Sequence, residues 1–158
     1  MLAGELSKEV VGWQTDQDLF DEAAAALAGL NRTDFRCLDI VWQDGPLTAG
    51  ELAAKARLTS GAVTAVLDRL EEAGYVRRVR DVADRRRVLV EFMPDLTERA
   101  QAGYGPLVAD GEQLLARFSE DQLEVIADFI RSNRELLRKH TGRLYEMLDR
   151  REESGRSA

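Results

Sequence analysis

The stretch LTAGELAAKARLTSGAVTAVLDRLEEAGYVRRVRDVADRRRVLVEF, residues 47–92, decides how this chain folds. Thr48-Ala49-Gly50-Glu51 is a capping box: the Thr48 hydroxyl can accept from the Glu51 N–H, while the Glu51 carboxylate reaches back to the Thr48 N–H. Leu47 and Leu52 stand where a hydrophobic staple would form. The helix that starts here is short and ends near Arg57. After a break at Leu58-Thr59, the spacing predicts a helix from Ser60 to Ala73. Its apolar residues Val63, Val66, Leu67 and Leu70 fall at i, i+3, i+4 and i+7, one buried stripe. Gly74 is placed to end it in a left-handed cap. Two strand-like runs follow, at 75–80 and 87–92, joined by the polar tip DVADRR at 81–86. They read as a β-hairpin with an arginine-rich end.

The flanks are helical. Residues 5–30 place Phe20, Ala23, Ala24 and Leu27 at helical spacing, with four consecutive alanines at 23–26. A second helix is predicted from Thr33 or Asp34 to Gln43, with Phe35, Leu38, Val41 and Trp42 on one face, stopped by Asp44-Gly45-Pro46. Beyond the hairpin, a helix covers Leu96 to Phe118, irregular around Gly103 and Gly105-Pro106. Ser119-Glu120-Asp121-Gln122 is a second capping box, opening a last helix that runs to about Asp149. Leu123, Ile130, Leu137 and Leu144 recur there every seven residues. The tail at 151–158 is expected to be disordered.

Helix, short helix, tight break, amphipathic helix and basic hairpin together describe a winged helix-turn-helix. The predicted fold class is mainly α with a small β-hairpin wing. The 158 residues suit one domain, with the helix-turn-helix lobe at 31–93. No apolar run is long enough to span a membrane, and the N-terminus lacks the apolar core of a signal peptide. A single cysteine, Cys37, rules out an internal disulfide framework and fits a reducing cytoplasm.

The net charge of −7 argues at first against nucleic acid, but its distribution reverses that. Residues 1–47 carry three basic and nine acidic side chains, 48–93 carry nine and seven, and 94–158 carry ten and thirteen. Between 76 and 88, six arginines face two aspartates. A basic stripe on an acidic body turns one face toward phosphates. The second helix of the motif would offer Ser60, Gly61, Ala62, Thr64 and Ala65 to the major groove of double-stranded DNA, with Arg69 at its flank. The Ser60 and Thr64 hydroxyls can meet base edges there, and Ala62 or Ala65 can pack on a thymine methyl. Arg85, Arg86 and Arg87 lie at the hairpin end, where a guanidinium suits a narrow minor groove. Arg78 and Arg80 can hold phosphates, and Thr48 and Thr59 complete the candidate contacts. Asp81 and Asp84 are read as local partners that aim the arginines.

These segments resemble the MarR (multiple antibiotic resistance regulator) family of transcription factors. The likeness runs through LNRTDFRCLDIV, the helix-turn-helix and the DVADRRRVLVEF wing, and the flanking helices extend it over nearly the whole chain. It implies a homodimer in which helices at 1–30 and 95–150 interlock, and a regulator, most often a repressor, of pseudo-palindromic operators. By position it assigns the major groove to Ser60, Gly61, Ala62, Thr64 and Ala65. Arg86, with Arg85 second, is chosen for the minor groove. Many relatives bind a small aromatic or phenolic effector, for which Trp13, Phe20 and Trp42 are the candidate lining residues.

Three other readings stand beside it: a winged helix used only for protein contacts, a single-cysteine redox sensor, and an enzyme. His140 and Cys37 are about a hundred residues apart in sequence and no phosphate-binding glycine loop occurs. No catalytic site, metal or cofactor is therefore expected. Cys37 follows Phe35 and Arg36 on a face expected to be buried, which suits an inert thiol.

Overall fold

The computed structural model describes residues 2–93 and 98–156, with side chains described for 2–93 and 104–151. Helix α1 spans Leu2–Ala28. It ends at Gly29, whose φ of 72° lets Leu30 N–H bond back to the Ala25 carbonyl at 2.9 Å. Helix α2 spans Arg32–Asp44 and is capped by Asn31, whose side chain accepts from the Asp34 N–H. Gly45, with φ 75°, closes it. Strand β1, Leu47–Thr48, leads into α3, Ala49–Ala56. Arg57, in a left-handed conformation, turns the chain toward Thr59, the N-cap of α4, Ser60–Glu72. Strands β2, Val76–Arg80, and β3, Val88–Phe92, form the hairpin. Helix α5 spans Glu98–Leu115 and α6 spans Glu120–Arg156.

The capping box at Thr48 forms as expected: Glu51 N–H donates to Thr48 Oγ1 at 3.2 Å and Thr48 N–H to Glu51 Oε2 at 2.7 Å. The second box forms as well, with Ser119 N–H on Gln122 Oε1 at 2.9 Å and Gln122 N–H on Ser119 Oγ at 3.3 Å.

The hairpin is part of a three-stranded antiparallel sheet ordered β1-β3-β2. Leu47 pairs with Val90 and Thr48 with Leu89, while β2 runs Val76↔Phe92 to Arg80↔Val88. Two residues are too few to show a period of two, so β1 leaves no periodic trace in the sequence. Its pairing buries Leu47 and ties the start of the helix-turn-helix to the wing.

The core gathers Val63, Val66, Leu67 and Leu70 of α4 against Leu52 of α3, Leu38 and Val41 of α2, and Leu47, Val76 and Val90 of the sheet. A second cluster joins Ala24 and Ala25 of α1 to Phe35, with Phe20 and Tyr104 against it. The stripe expected on α1 is thus rotated, since Ala23 and Leu27 are exposed. Trp42 also departs from the expected face of α2 and is exposed.

Two further expectations are corrected. Helix α5 runs unbroken through Gly105-Pro106; the missing proline N–H costs a bond but does not end the helix here. Its predicted start at Leu96 lies outside the described residues. Helix α6 continues past Asp149 to Arg156, so the expected disorder of the tail does not hold up to that residue. The segment after Asp149 is rich in Arg and Glu, good helix formers that let a helix already nucleated propagate. The chain forms two units, Met1–Val108 and Ala109–Ala158, and the helix-turn-helix lies wholly in the first.

Candidate nucleic-acid interface

Helix α4 buries Val63, Val66, Leu67 and Leu70 and leaves Ser60, Gly61, Ala62, Thr64, Ala65, Asp68 and Arg69 exposed. Its N-terminus is held by Thr59, whose hydroxyl oxygen accepts from the Ala62 N–H at 3.2 Å. Thr64 Oγ1 donates back to the Ser60 carbonyl at 2.9 Å, so its proton is committed within the helix. Thr48 and Thr59, both candidate contacts, therefore serve as caps that set where α3 and α4 begin.

The arginines divide into two groups. Arg69 is turned onto Asp34: its Nε donates to Oδ2 at 2.8 Å and its Nη2 to Oδ1 at 2.6 Å. Asp34 is only 3% exposed and also receives Asn31 Nδ2 at 2.8 Å. Those donors balance a carboxylate that burial would otherwise penalise. The bidentate bond to Asp34 holds the Arg69 guanidinium above the usual arginine range. Arg78 reaches from β2 to α4, donating to Asp68 Oδ1 at 2.6 Å and to Glu71. Arg77 pairs with Glu91 across the hairpin at 2.8 Å. Arg87 lies 3.3 Å from Glu51 and 3.8 Å from Asp81. The Glu51 carboxyl is itself held below the usual range by the Thr48 N–H and hydroxyl.

By contrast, the guanidinium groups of Arg80, Arg85 and Arg86 have no ion-pair or hydrogen-bond partner among the described residues, and all three side chains are exposed. They are the wing cations free to meet an anion. The two wing aspartates shape the turn beneath them. Asp84 Oδ1 accepts from the Arg86 N–H at 3.0 Å and Asp81 Oδ1 from the Ala83 N–H at 2.8 Å. Asp84 thus orders the backbone that carries Arg86 rather than a guanidinium, and only Asp81 also approaches one, that of Arg87.

A cavity of about 230 Å³ lies against α1 and α2, lined by Asp18, Asp21, Arg32, Thr33, Phe35, Arg36 and Asp39. Arg32 is taken by Asp18 at 3.1 Å, and Arg36 donates to the Ala56 carbonyl at 3.3 Å. Asp39 is pushed up to about 6 by burial and by the Asp21 carboxylate. Tyr104, which the sequence did not single out, packs edge-on to Phe20 at 5.2 Å and is raised by burial and by Asp39 and Asp21. Trp13, Phe20 and Trp42, the candidate effector residues, do not line this cavity; the tryptophans are 49% and 65% exposed. Cys37 is fully buried, and burial raises its thiol above the usual range, opposite to what a reactive thiolate needs. Among the described residues, no group of three or more His, Cys, Asp or Glu could hold a metal ion, and no helix is long and apolar enough to cross a membrane.

The MarR family model matches residues 30–88. An HTH-type transcriptional regulator of Bacillus subtilis, YcgE, is 39% identical over 126 residues, 80% of this chain and 82% of the relative. The chain belongs to the MarR family. Another relative, an HTH-type transcriptional repressor of Mycobacterium tuberculosis, is 32% identical over 103 residues, 64% of this chain and 74% of its own. The fold agrees with a MarR family protein from Bacillus stearothermophilus, at a TM-score of 0.58 and 22% identity over 85% of this chain and 94% of that one. A transcriptional regulator from Thermotoga maritima matches at the same TM-score, 0.58, and 18% identity, over 88% of this chain and 98% of its own. This MarR-family chain is accordingly a transcriptional regulator with a helix-turn-helix DNA-binding fold.

Proposed function

We propose that the protein is a repressor that binds a pseudo-palindromic operator as a homodimer and is released by a small molecule. The observation that carries this reading is an exposed helix, α4, together with three wing arginines, Arg80, Arg85 and Arg86, that have no partner among the described residues. Helix α4 would enter the major groove with Ser60, Gly61, Ala62, Thr64 and Ala65 toward the bases. Arg86, with Arg85 beside it, would enter the adjacent minor groove, where a narrow groove concentrates negative potential. Arg80 would hold phosphate, which positions the protein without reading sequence. Arg69, Arg78 and Arg87 leave the contact set in this proposal, because their carboxylate partners already fix α4 and the wing.

The homodimer is supported by apolar side chains that each unit leaves in water. On α6 these include Val125, Phe129, Leu136, Leu144 and Met147, and on α1 Leu2, Leu6, Trp13 and Leu19. Apolar surface of this kind marks association. Two recognition helices related by a two-fold axis call for half-sites ~10 bp apart, centre to centre. Repression is favoured by the repressor names of the mycobacterial relatives. The cavity against α1 and α2 gives a small molecule a place to act, shifting the spacing of the two recognition helices by its differential affinity. Such a regulator would work in the cytoplasm, where the DNA is.

The test is selection of bound duplexes from a random pool, followed by titration over a salt series. A palindromic consensus with steep salt dependence is expected. A pool that never enriches, or binding indifferent to salt, would leave the wing to protein contacts instead.

A further inference from the structure

The geometry points to thymine as what α4 reads: C5-methyl groups in the major groove pack on Ala65 and on the methyl of Thr64, with Gly61 giving the room. This rests on the DNA-binding reading above and says what that surface can distinguish.

The argument is an accounting of side chains. At about 100° per residue, the arc opposite Val63, Val66, Leu67 and Leu70 is centred on Gly61, Ala65, Asp68 and Glu72, with Thr64 and Arg69 on its two flanks and Ser60 and Ala62 at its edges. Bidentate recognition of guanine needs Arg or Lys, and of adenine Asn or Gln. Residues 60–68 contain none of these four types. A carboxylate can accept from cytosine, but Asp68 is held by Arg78 at 2.6 Å, and Glu72 stands at the C-terminal end of α4, away from the N-terminal residues that meet base edges. Arg69 is held by Asp34 through two bonds. The Thr64 hydroxyl proton is spent on the Ser60 carbonyl. The Ser60 hydroxyl and the Thr64 lone pairs remain, but a hydroxyl serves more than one base and so specifies little; the groups that discriminate are the Ala65 methyl near the centre of the face and the Thr64 methyl on its flank. Thymine is the base that presents an apolar group in the major groove.

Gly61 supplies an independent observation. A Cβ built there would meet nothing within 4 Å, and its backbone is not left-handed, so neither the protein's packing nor its turn geometry asks for glycine. Glycine inside a helix weakens it. The missing side chain instead leaves open space on the face that a duplex would occupy.

The test uses the full chain and a duplex selected from the random pool. Each thymine of a half-site is replaced in turn by deoxyuridine, which removes the methyl and keeps every hydrogen bond. At one or two positions binding should weaken roughly fourfold, the worth of one buried methyl, and roughly fifteenfold when both half-sites carry the change. In Ala65→Gly, the penalty at one such position should fall below about twofold while the salt slope stays that of the parent. If deoxyuridine at every position costs less than about twofold and salt-dependent binding persists, the methyl reading is overturned while DNA binding stands. If no duplex is enriched and no salt-dependent binding is seen, the DNA reading itself fails and this one with it.

Discussion

Replacing Arg86 with alanine is expected to flatten the salt dependence of DNA binding, whereas replacing Arg77 is expected to leave it unchanged. Both lie in the same basic wing, among its six arginines between 76 and 88. In the structure Arg77 donates to Glu91 through Nε at 3.0 Å and Nη2 at 2.8 Å, while the Arg86 guanidinium is unpartnered among the described residues. A cation neutralised within the protein releases few counterions on binding DNA; a free one releases them in full. Each phosphate neutralised contributes a slope of about −0.9 in log K against log salt. A guanidinium in the minor groove displaces counterions as one on a phosphate does, so Arg80, Arg85 and Arg86 in two protomers count as six cations, a slope near −5.4, and a loss of affinity of roughly two thousandfold from 50 to 200 mM salt. Arg86→Ala removes one contact per protomer and should bring the slope to about −3.6 and the loss to roughly 150-fold. The assay is fluorescence anisotropy with the selected duplex across that salt range. A parental slope in Arg86→Ala, or an equal change in Arg77→Ala, would refute the division of the wing into free and neutralised arginines.

Leu70→Ala should cost about 2–5 kcal/mol in urea unfolding, because a fully buried side chain would leave a cavity among α2, α3 and the sheet; a loss under about 1 kcal/mol would mean that the core collapses around it. Asp39 holds its proton more tightly folded, at about 6, than at its ordinary 3.8. The folded state is therefore favoured at low pH and loses that advantage as pH rises from about 4 to about 6. Asp39→Asn should be more stable than the parent at pH 7 and lack that pH-dependent step in thermal melts; parallel curves for the two proteins would count against it. Cys37, buried and with a raised thiol, should resist alkylation in the native protein and react only after unfolding; rapid native labelling would reopen the redox reading.

Local features were legible in the sequence because their physics is local. Both capping boxes, the Val63-Val66-Leu67-Leu70 stripe and the hairpin depend on groups a few residues apart, and each formed. The missed features are those whose partners are distant. Strand β1 exists because Val90, some forty residues on, pairs with Leu47. Asp34 meets Arg69 across 35 residues, and Phe20 meets Tyr104 across an even longer gap. No pattern within a turn or strand announces such meetings. The extent of α6 was misjudged for another reason: a polar tail reads as solvated whether or not it is helical.

By itself, the sequence determined that this chain has a winged helix-turn-helix, which helix offers its face and which hairpin carries the positive charge. Periodicity, capping and charge run are properties of neighbours, and neighbours are what a sequence records. Only the tertiary structure decided which of those charges are available. Asp34, Asp68, Glu71 and Glu91 come from separate parts of the fold to occupy Arg69, Arg78 and Arg77. What remains free in the wing, among the described residues, is Arg80, Arg85 and Arg86, because a charge is spent wherever folding brings an opposite one within reach.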